Sequence, residues 1–480
     1  MTELEVIQSK NFPEIQKLFV RPTFDVEQST ALAQYDVKEH DVFQESARPH
    51  RKVTQSLGTK KPDGTDNTQQ VSIDVVRVGI AWQKIIVERR VGFMLSDPVK
   101  TNAIYSNGEP TDKEKKLCAM VEKVLNDNKM DYRNKEILRR KLTEMEVAVI
   151  WYYTFDPLTE PKFWLKCKVL SPTLGDTLYP LFDAFGSMVS FARGYKLRES
   201  GKDIEHFDVY TDALEYRYVN RGAWKLDDTL LNTVSETGEP ITANPIPNKA
   251  GKILVEYYSQ KEPVWNSVQS MISRHEVLAS NHGGMNDKFG APLLVVSGEI
   301  RGRADDNMTG SVLQVENGGA ADYKQLASEP LSIKLEMDNL EKYIYSMSQT
   351  PNISFEQMKA MGQLSGFAVE MLFTDAHMAA RAEEENFGMG IQRRLNILKK
   401  AIGALIDTSL EKEAQTLQLI PQFTPYLPKN TTELVNDLSM AVTSGILSKE
   451  SAAEQNPFVV DPVTELTRLQ TEAQNANAGL

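Results

Sequence analysis

Between positions 331 and 407 the hydrophobic and polar residues fall into two helical patterns of unequal length, separated by a short irregular stretch. Directly after Pro330, the apolar residues Leu335, Leu340, Ile344 and Met347 recur among Lys334, Glu336, Asp338, Glu341 and Lys342. That spacing predicts a partly buried, strongly charged helix over 331–347. The run Gln349-Thr350-Pro351-Asn352 breaks it, because proline disfavours helix at the residue before it, and Asn352, Ser354, Gly362 and Gly366 keep the following chain irregular. From Phe367 a second pattern builds, with Phe387, Ile391, Leu395, Leu398, Ile402 and Leu405 three or four residues apart and no proline before Ile406. At a rise of 1.5 Å per residue this predicts a strut of roughly 60 Å, longer than a small core can hide. Gly388, Gly390 and Gly403 each weaken it by about 1 kcal/mol relative to alanine, and the pair at 388 and 390 marks a kink or a close packing contact.

Elsewhere the pattern alternates between the two periods. Residues 1–70 carry only short apolar pieces (Ile7, Phe12, Leu18, Phe19), which predict one or two helices and then a flexible arm. Dense hydrophobics at 71–76 and 80–93 read as a buried framework, and 113–142 reads as paired amphipathic helices turning at Asn126-Asp127-Asn128. Strands are expected at 147–153, 163–170, 188–193, 207–210, 214–218 and, after a polar stretch, 253–258. Pro263 opens a helix whose apolar positions Val264, Trp265, Val268, Met271, Ile272 and Leu278 keep helical spacing up to Gly283-Gly284. A strand at 291–297, a charged turn at 298–310 and a strand at 311–316 then form a small β tip between this helix and the one at 331–347. A last strand at 417–426 precedes a polar helical tail at 431–442, 448–454 and 461–475, so the chain is α+β throughout.

Composition narrows the function. With 480 residues, 41% hydrophobic and 25% charged, the chain has room for several cores and is ordinary for soluble protein. No apolar run approaches the ~18 residues of a membrane helix, and Met1-Thr2-Glu3-Leu4-Glu5 lacks a signal-peptide profile, so a cytoplasmic chain with no membrane partner is expected. The net charge of -12 argues against a tight grip on DNA through the overall field and leaves room for transient contact. Arg48, Arg51, Lys52, Lys60 and Lys61 lie in a Gly/Pro/Asp/Thr-rich segment and read as a solvated loop. Cys118 and Cys167 have no metal-like spacing and are expected as reduced, buried thiols. The closest approach to a phosphate-binding loop, Gly194 to Gly201-Lys202, has six intervening residues and Asp203 where Ser or Thr belongs. Neither Gly-x-Ser-x-Gly nor His-Glu-x-x-His occurs, His275 and His282 read as structural rather than as a ligand pair, and Glu383-Glu384-Glu385 beside Arg381 reads as a solvated helix face. No catalytic residue, metal site or cofactor is therefore expected.

The order helix, small β tip, helix, short loop, long helix resembles the portal proteins of tailed double-stranded DNA bacteriophages. The resemblance is carried by Glu262-Pro263-Val264-Trp265-Asn266 with Ile272 and Leu278, leading into Ala291-Pro292-Leu293-Leu294-Val295-Val296-Ser297-Gly298. It is carried further by Ser365-Gly366-Phe367-Ala368, continued by Phe387, Arg393, Arg394 and Leu395, and by Leu427-Pro428-Lys429-Asn430 with Gly445-Ile446-Leu447-Ser448-Lys449-Glu450. It spans about residues 70–470 and implies a portal fold: an N-terminal arm (1–70), a β-rich and helical wing (71–262), stem helices at 263–286 and 331–349 around a small α/β clip (287–330), a tunnel loop (350–363), the long kinked wing helix with its strand (364–425) and a helical crown (426–480).

It also implies a function and its surfaces. The chain would form a homo-oligomeric ring, dodecameric in the family, through which double-stranded DNA enters and leaves the capsid without sequence-specific binding. The large terminase subunit, the major capsid and scaffolding proteins and a tail adaptor would be its partners, with assembly in the host cytoplasm and a final place at the portal vertex of the virion. The tunnel loop would carry Thr350, Pro351, Asn352, Ser354, Phe355, Glu356, Met358, Lys359 and Met361 into the channel, with Glu356 offsetting the one cation, Lys359. Lys334, Glu336, Asp338, Glu341 and Lys342 are the channel-lining candidates of the stem, and Glu299, Arg301, Arg303, Asp305 and Asp306 the clip contacts. The alternative reading is an enzymatic subunit, a nuclease or ATPase, of the packaging machinery, and the missing phosphate loop and carboxylate cluster count against it.

Overall fold

The computed structural model describes residues 2–105, 108–156, 158–231, 241–289, 293–297, 300–303, 313–315, 320–324, 331–352, 371, 373–426, 431–459 and 461–478. The chain begins with α1 (Glu3–Gln8), started by a Thr2–Glu5 capping box, and α2 (Phe12–Leu18), with α3 (Gln28–Tyr35) following. α1 and α2 match the one or two helices expected here, but the flexible arm expected after them begins as the helix α3. Ile7, Phe12, Ile15 and Phe19 are buried as one cluster against a β-sheet, where Phe12 stacks on Trp224 at 4.4 Å. A further difference follows at once. Residues read as a solvated loop form a hairpin, β1 (Arg51–Lys60) and β2 (Asp66–Ile73), and 71–76 is the exposed end of that hairpin and its exit rather than buried framework. The buried framework begins with α4 (Trp82–Met94), whose Trp82, Ile86, Val87 and Val91 enter the main core.

After β3 (Lys100–Ile104), the expected helix pair appears as α5 (Asp112–Asp127) and α6 (Met130–Glu144), turning at Asn128 and at Lys129, which takes a left-handed backbone (φ 52°). Two antiparallel sheets follow. β4 (Glu146–Phe155) and β5 (Phe163–Leu170) open the first. β6 (Thr177–Phe182), β7 (Met188–Glu199), β8 (Lys202–Tyr210), β9 (Leu214–Asn220) and β10 (Trp224–Leu226) form the second as a simple meander, with β11 (Ile246–Pro247) added beside β9. β12 (Val255–Ser259) returns to the first sheet on the free side of β4, giving the order β12-β4-β5.

The predicted helix after Pro263 opens with a 3-10 turn and continues as α7 (Gln269–Phe289), running through Gly283-Gly284 instead of stopping there. Among the described residues the β tip has four strands where two were expected: β13 (Leu293–Ser297) pairs with β16 (Ala320–Lys324), and β14 (Ile300–Arg303), inside the stretch read as a turn, pairs with β15 (Leu313–Val315). The two predicted strands thus do not pair with each other. α8 (Leu331–Met347) matches the sequence reading end to end and returns alongside α7.

The long helix is described as α9 (Thr374–Ala401), ending in a π-helical turn at Ile402–Ile406; its predicted start near Phe367 lies outside the described residues. Of its glycine pair, Gly390 serves close packing, whereas Gly388 has only ordinary contacts, 3.5 Å from Phe423 for a Cβ placed there. A Cβ at Gly390 would lie 2.0 Å from the Tyr258 ring, so the helix meets β12 at contact distance there. The short α10 (Glu411–Thr416) leads into β17 (Gln418–Gln422), which pairs antiparallel with β3. The polar tail forms as read: α11 (Thr431–Thr443), α12 (Lys449–Gln455), capped by Ser448, and α13 (Pro462–Ala478). Among the described residues no helix is long and apolar enough to cross a membrane.

Candidate functional site

α8 carries all five stem candidates, and its surroundings decide how they are presented. Its Ile344 is fully buried with Trp82, Val268 and Ile272, while Leu335 is 62% exposed, so one stripe is anchored and the rest of the helix faces outward. Lys334, Asp338 and Lys342 are exposed, and Glu336 and Glu341 are half-buried. Glu336 accepts from the Arg274 guanidinium of α7 at 2.9 Å, across the two helices. The remaining four have no such interhelical pairing among the described residues, leaving a mixed row of two cations and two carboxylates.

The end of α8 is fixed by an array of bonds. The Ser348 hydroxyl donates to the Ile344 carbonyl at 2.6 Å, Gln349 turns through a left-handed backbone (φ 50°), and the Thr350 amide donates back to the Tyr345 carbonyl at 3.0 Å. From α4, Arg90 donates to the Ser348 carbonyl (2.9 Å) and Arg89 to the Pro351 carbonyl (2.7 Å), with the Arg89 guanidinium 5.0 Å above the Tyr345 ring. Thr350, only 5% exposed, therefore lies in the root of the predicted tunnel loop, with Pro351 and Asn352 half-buried beside it. Ser354, Phe355, Glu356, Met358, Lys359 and Met361 lie outside the described residues.

In the β tip, Arg301 and Arg303 lie on β14, with Arg303 opposite Leu313 of β15, while Glu299, Asp305 and Asp306 fall outside the described residues. His275 and His282 do not form a ligand pair: His275 is buried and accepts from the Trp82 indole N–H at 3.0 Å, and burial lowers its pKa, so it is held neutral. Among the described residues no three metal-ligating side chains come together. Cys167 is buried, with its thiol pushed up to about 11 by desolvation, and Cys118 is half-buried; both are free.

Sequence reasoning missed the ionic centre that joins α6, α9, β4 and β12. Arg394 of α9, 1% exposed, donates from Nε to both oxygens of Glu256 on β12 (2.9 and 3.1 Å), from Nη1 to Asn134 Oδ1 of α6 (2.6 Å) and from Nη2 to the Tyr258 hydroxyl (3.1 Å). Tyr258 donates in turn to Glu256 at 2.6 Å, and the Trp151 indole N–H points to the same carboxylate. Burial opposes the charge on Arg394, yet Glu256 outweighs it and the pKa rises. Glu383, read as part of a solvated face, is instead buried and ion-paired with Lys141 of α6. A single signal existed: Arg393-Arg394 interrupts an otherwise apolar helix face, which places a cation where only a partnered one is tolerated.

Between the two sheets lies a cavity of about 410 Å³ lined by Lys168, Arg193, Tyr195, Asp208, Tyr210 and Arg217 among others. The pairs across β7, β8 and β9 place Asp208 between Arg193 and Arg217, but Arg193 turns to Asp176 (2.6 Å) and Arg217 to Glu215 (2.7 Å). Asp208 Oδ1 is left with no hydrogen-bond partner among the described residues, and desolvation pushes its pKa up to about 7.

This geometry sits inside a known sequence family. The family described as "Phage portal protein, SPP1 Gp6-like" matches residues 30–479, extending the resemblance read from the sequence to the hairpin and α3. The portal protein of Bacillus phage SPP1 is 22% identical over 418 residues, covering 82% of this chain and 76% of that relative.

Proposed function

Because this chain belongs to the SPP1 Gp6-like phage portal proteins, we propose that it assembles as a ring, a dodecamer by family analogy, forming the channel at one capsid vertex through which double-stranded DNA is packaged and ejected. Residues 263–286 and 331–349 are the stem, 287–330 the clip that docks the large terminase subunit and then a tail adaptor, 350–363 the tunnel loop, and 426–480 the crown. Major capsid and scaffolding proteins surround the ring, which is built in the host cytoplasm and stays in the virion. The observation that carries the reading is α8: a charged, half-exposed helix lying along α7, with the β tip between them and its end bolted to α4.

Electrostatics support a conduit. A channel must not hold what it passes, and a chain of net charge -12 repels phosphates over most of its surface, leaving isolated cations such as Lys334, Lys342 and Lys359 to touch DNA weakly. Negative-stain images of the purified protein should show closed rings with a central hole, and a uniform monomer at the same concentration contradicts the proposal. In packaging assays Lys359→Glu should lower DNA retention without changing ring assembly.

A further inference from the structure

The hairpin β1–β2 is a built protrusion. Its base is clamped to α7: Arg48 donates to the Val76 carbonyl and to Asn281 Oδ1 (both 3.0 Å), the Val78 amide donates to Ser280 Oγ (2.9 Å), and the Ile80 amide to Glu276 Oε1 (2.7 Å). A Cβ at Gly283 would lie 2.9 Å from Val76, so the exit strand lies tightly on the helix. Beyond this base, about ten residues per strand project ~30 Å, and the two strands pair only with each other among the described residues.

The ribbon has two unlike faces. The register places Arg51 opposite Ile73, Val53 opposite Val71 and Gln55 opposite Gln69 on one face; Lys52, Ser72, Thr54, Gln70 and Thr68 share the other. Ile73 is 48% exposed and Leu57, near the tip, 50%. An isolated two-stranded ribbon is marginal in water, so a clamped ribbon with an uncovered apolar face calls for a partner. Charge says which. The hairpin carries Arg51, Lys52, Lys60 and Lys61 against Asp63 and Asp66, a net positive element in a chain of net charge -12. A copy of the chain also exposes apolar surface bordered by acids, with Met378 and Met389 of α9 on a face shared with Asp375 and Glu385. DNA fits less well, because the face that needs covering presents one cation, Arg51.

We propose that the hairpin is a subunit-joining arm whose Val53/Val71/Ile73 face packs on the acidic surface of a second copy of this chain; the inference rests on the ring reading above. The test compares two double variants with equal charge change, Val53→Glu with Ile73→Glu on the apolar face and Thr54→Glu with Gln70→Glu on the polar face, by analytical ultracentrifugation and native mass spectrometry of the full chain. The apolar-face variant should lose ring at least tenfold at equal concentration, and the polar-face variant should assemble like the parent. Replacing residues 52–72 with two glycines should give the same loss, with circular dichroism and Tm checking that each subunit stays folded. Rings formed equally by all variants overturn the inference and leave the ring reading standing, whereas a parent that forms no ring overturns both. Salt-sensitive DNA binding that the polar-face variant abolishes, with rings intact in the apolar-face variant, assigns the hairpin to nucleic acid and also overturns it.

Discussion

Arg394 on α9 and Lys334 on α8 are both cations on long amphipathic helices, yet their surroundings are opposite. Arg394 is enclosed by Glu256, Tyr258 and Asn134, whereas Lys334 stands in solvent on a helix whose neighbour, among the described residues, supplies one ionic partner, Arg274, to Glu336. A buried pair contributes little net stability compared with an apolar replacement, but stripping one member from it is costly, so the Arg394 network locks one arrangement of α6, α9, β4 and β12. Half-exposed pairs contribute at most about 1 kcal/mol. The charges of α8 therefore do little for the fold.

The largest expected effect tests the α9 side. Arg394→Met leaves Glu256 buried without its cation and should cost about 3–5 kcal/mol in chemical denaturation of the subunit. A loss under about 1 kcal/mol would place the organising force around α9 in the apolar core instead.

Next comes the cavity between the sheets. Burial raises Asp208 from 3.8 to about 7, so the folded state keeps a proton that the unfolded chain has released between those values. The stability from this group is complete below the unfolded value and is lost as pH rises through about 7. Its neighbours Arg193, Arg217, Glu215, Tyr195 and Tyr210 stay in place in Asp208→Asn, which should remove on the order of 2–4 kcal/mol of parent pH dependence between about pH 4 and 8. Parallel pH–stability curves for parent and variant would exclude Asp208 as the source.

Gly390→Ala comes third. The added methyl would meet the Tyr258 ring, and overpacking at such a contact costs about 1–3 kcal/mol, read as a lower Tm. The smallest effect sharpens the α8 side: Glu336→Gln should change subunit stability by less than about 1 kcal/mol. A larger loss would make the Arg274 pair structural and weaken the contrast.

What the sequence made legible follows the strength of each local signal. α8 and β5 were readable to the residue, because Pro330 sets the start of one and turn residues bracket the other. The family was readable from the order of elements, and its match over 30–479 bears that out. β6 escaped because Pro180 interrupts it, an arrangement tolerated on an edge strand, which is where it lies. The hairpin escaped because Thr, Gln, Asn and Lys dominate it and its alternation is carried by only a few apolar residues. Arg394 and Glu256 lie 138 positions apart, beyond any local pattern. Of the candidate surfaces, the charged face of α8 was legible from periodicity, while the burial of Thr350 depends on Arg89 and Arg90 packing from a distant helix.

A symmetric cryo-EM reconstruction of the assembled protein tests the central contrast most directly. The account predicts that α8 lies nearest the symmetry axis, with Lys334, Asp338 and Lys342 facing the lumen and Arg394 sealed within each subunit. A ring with α8 on its outer wall, or with Arg394 reaching across a subunit boundary, would contradict it.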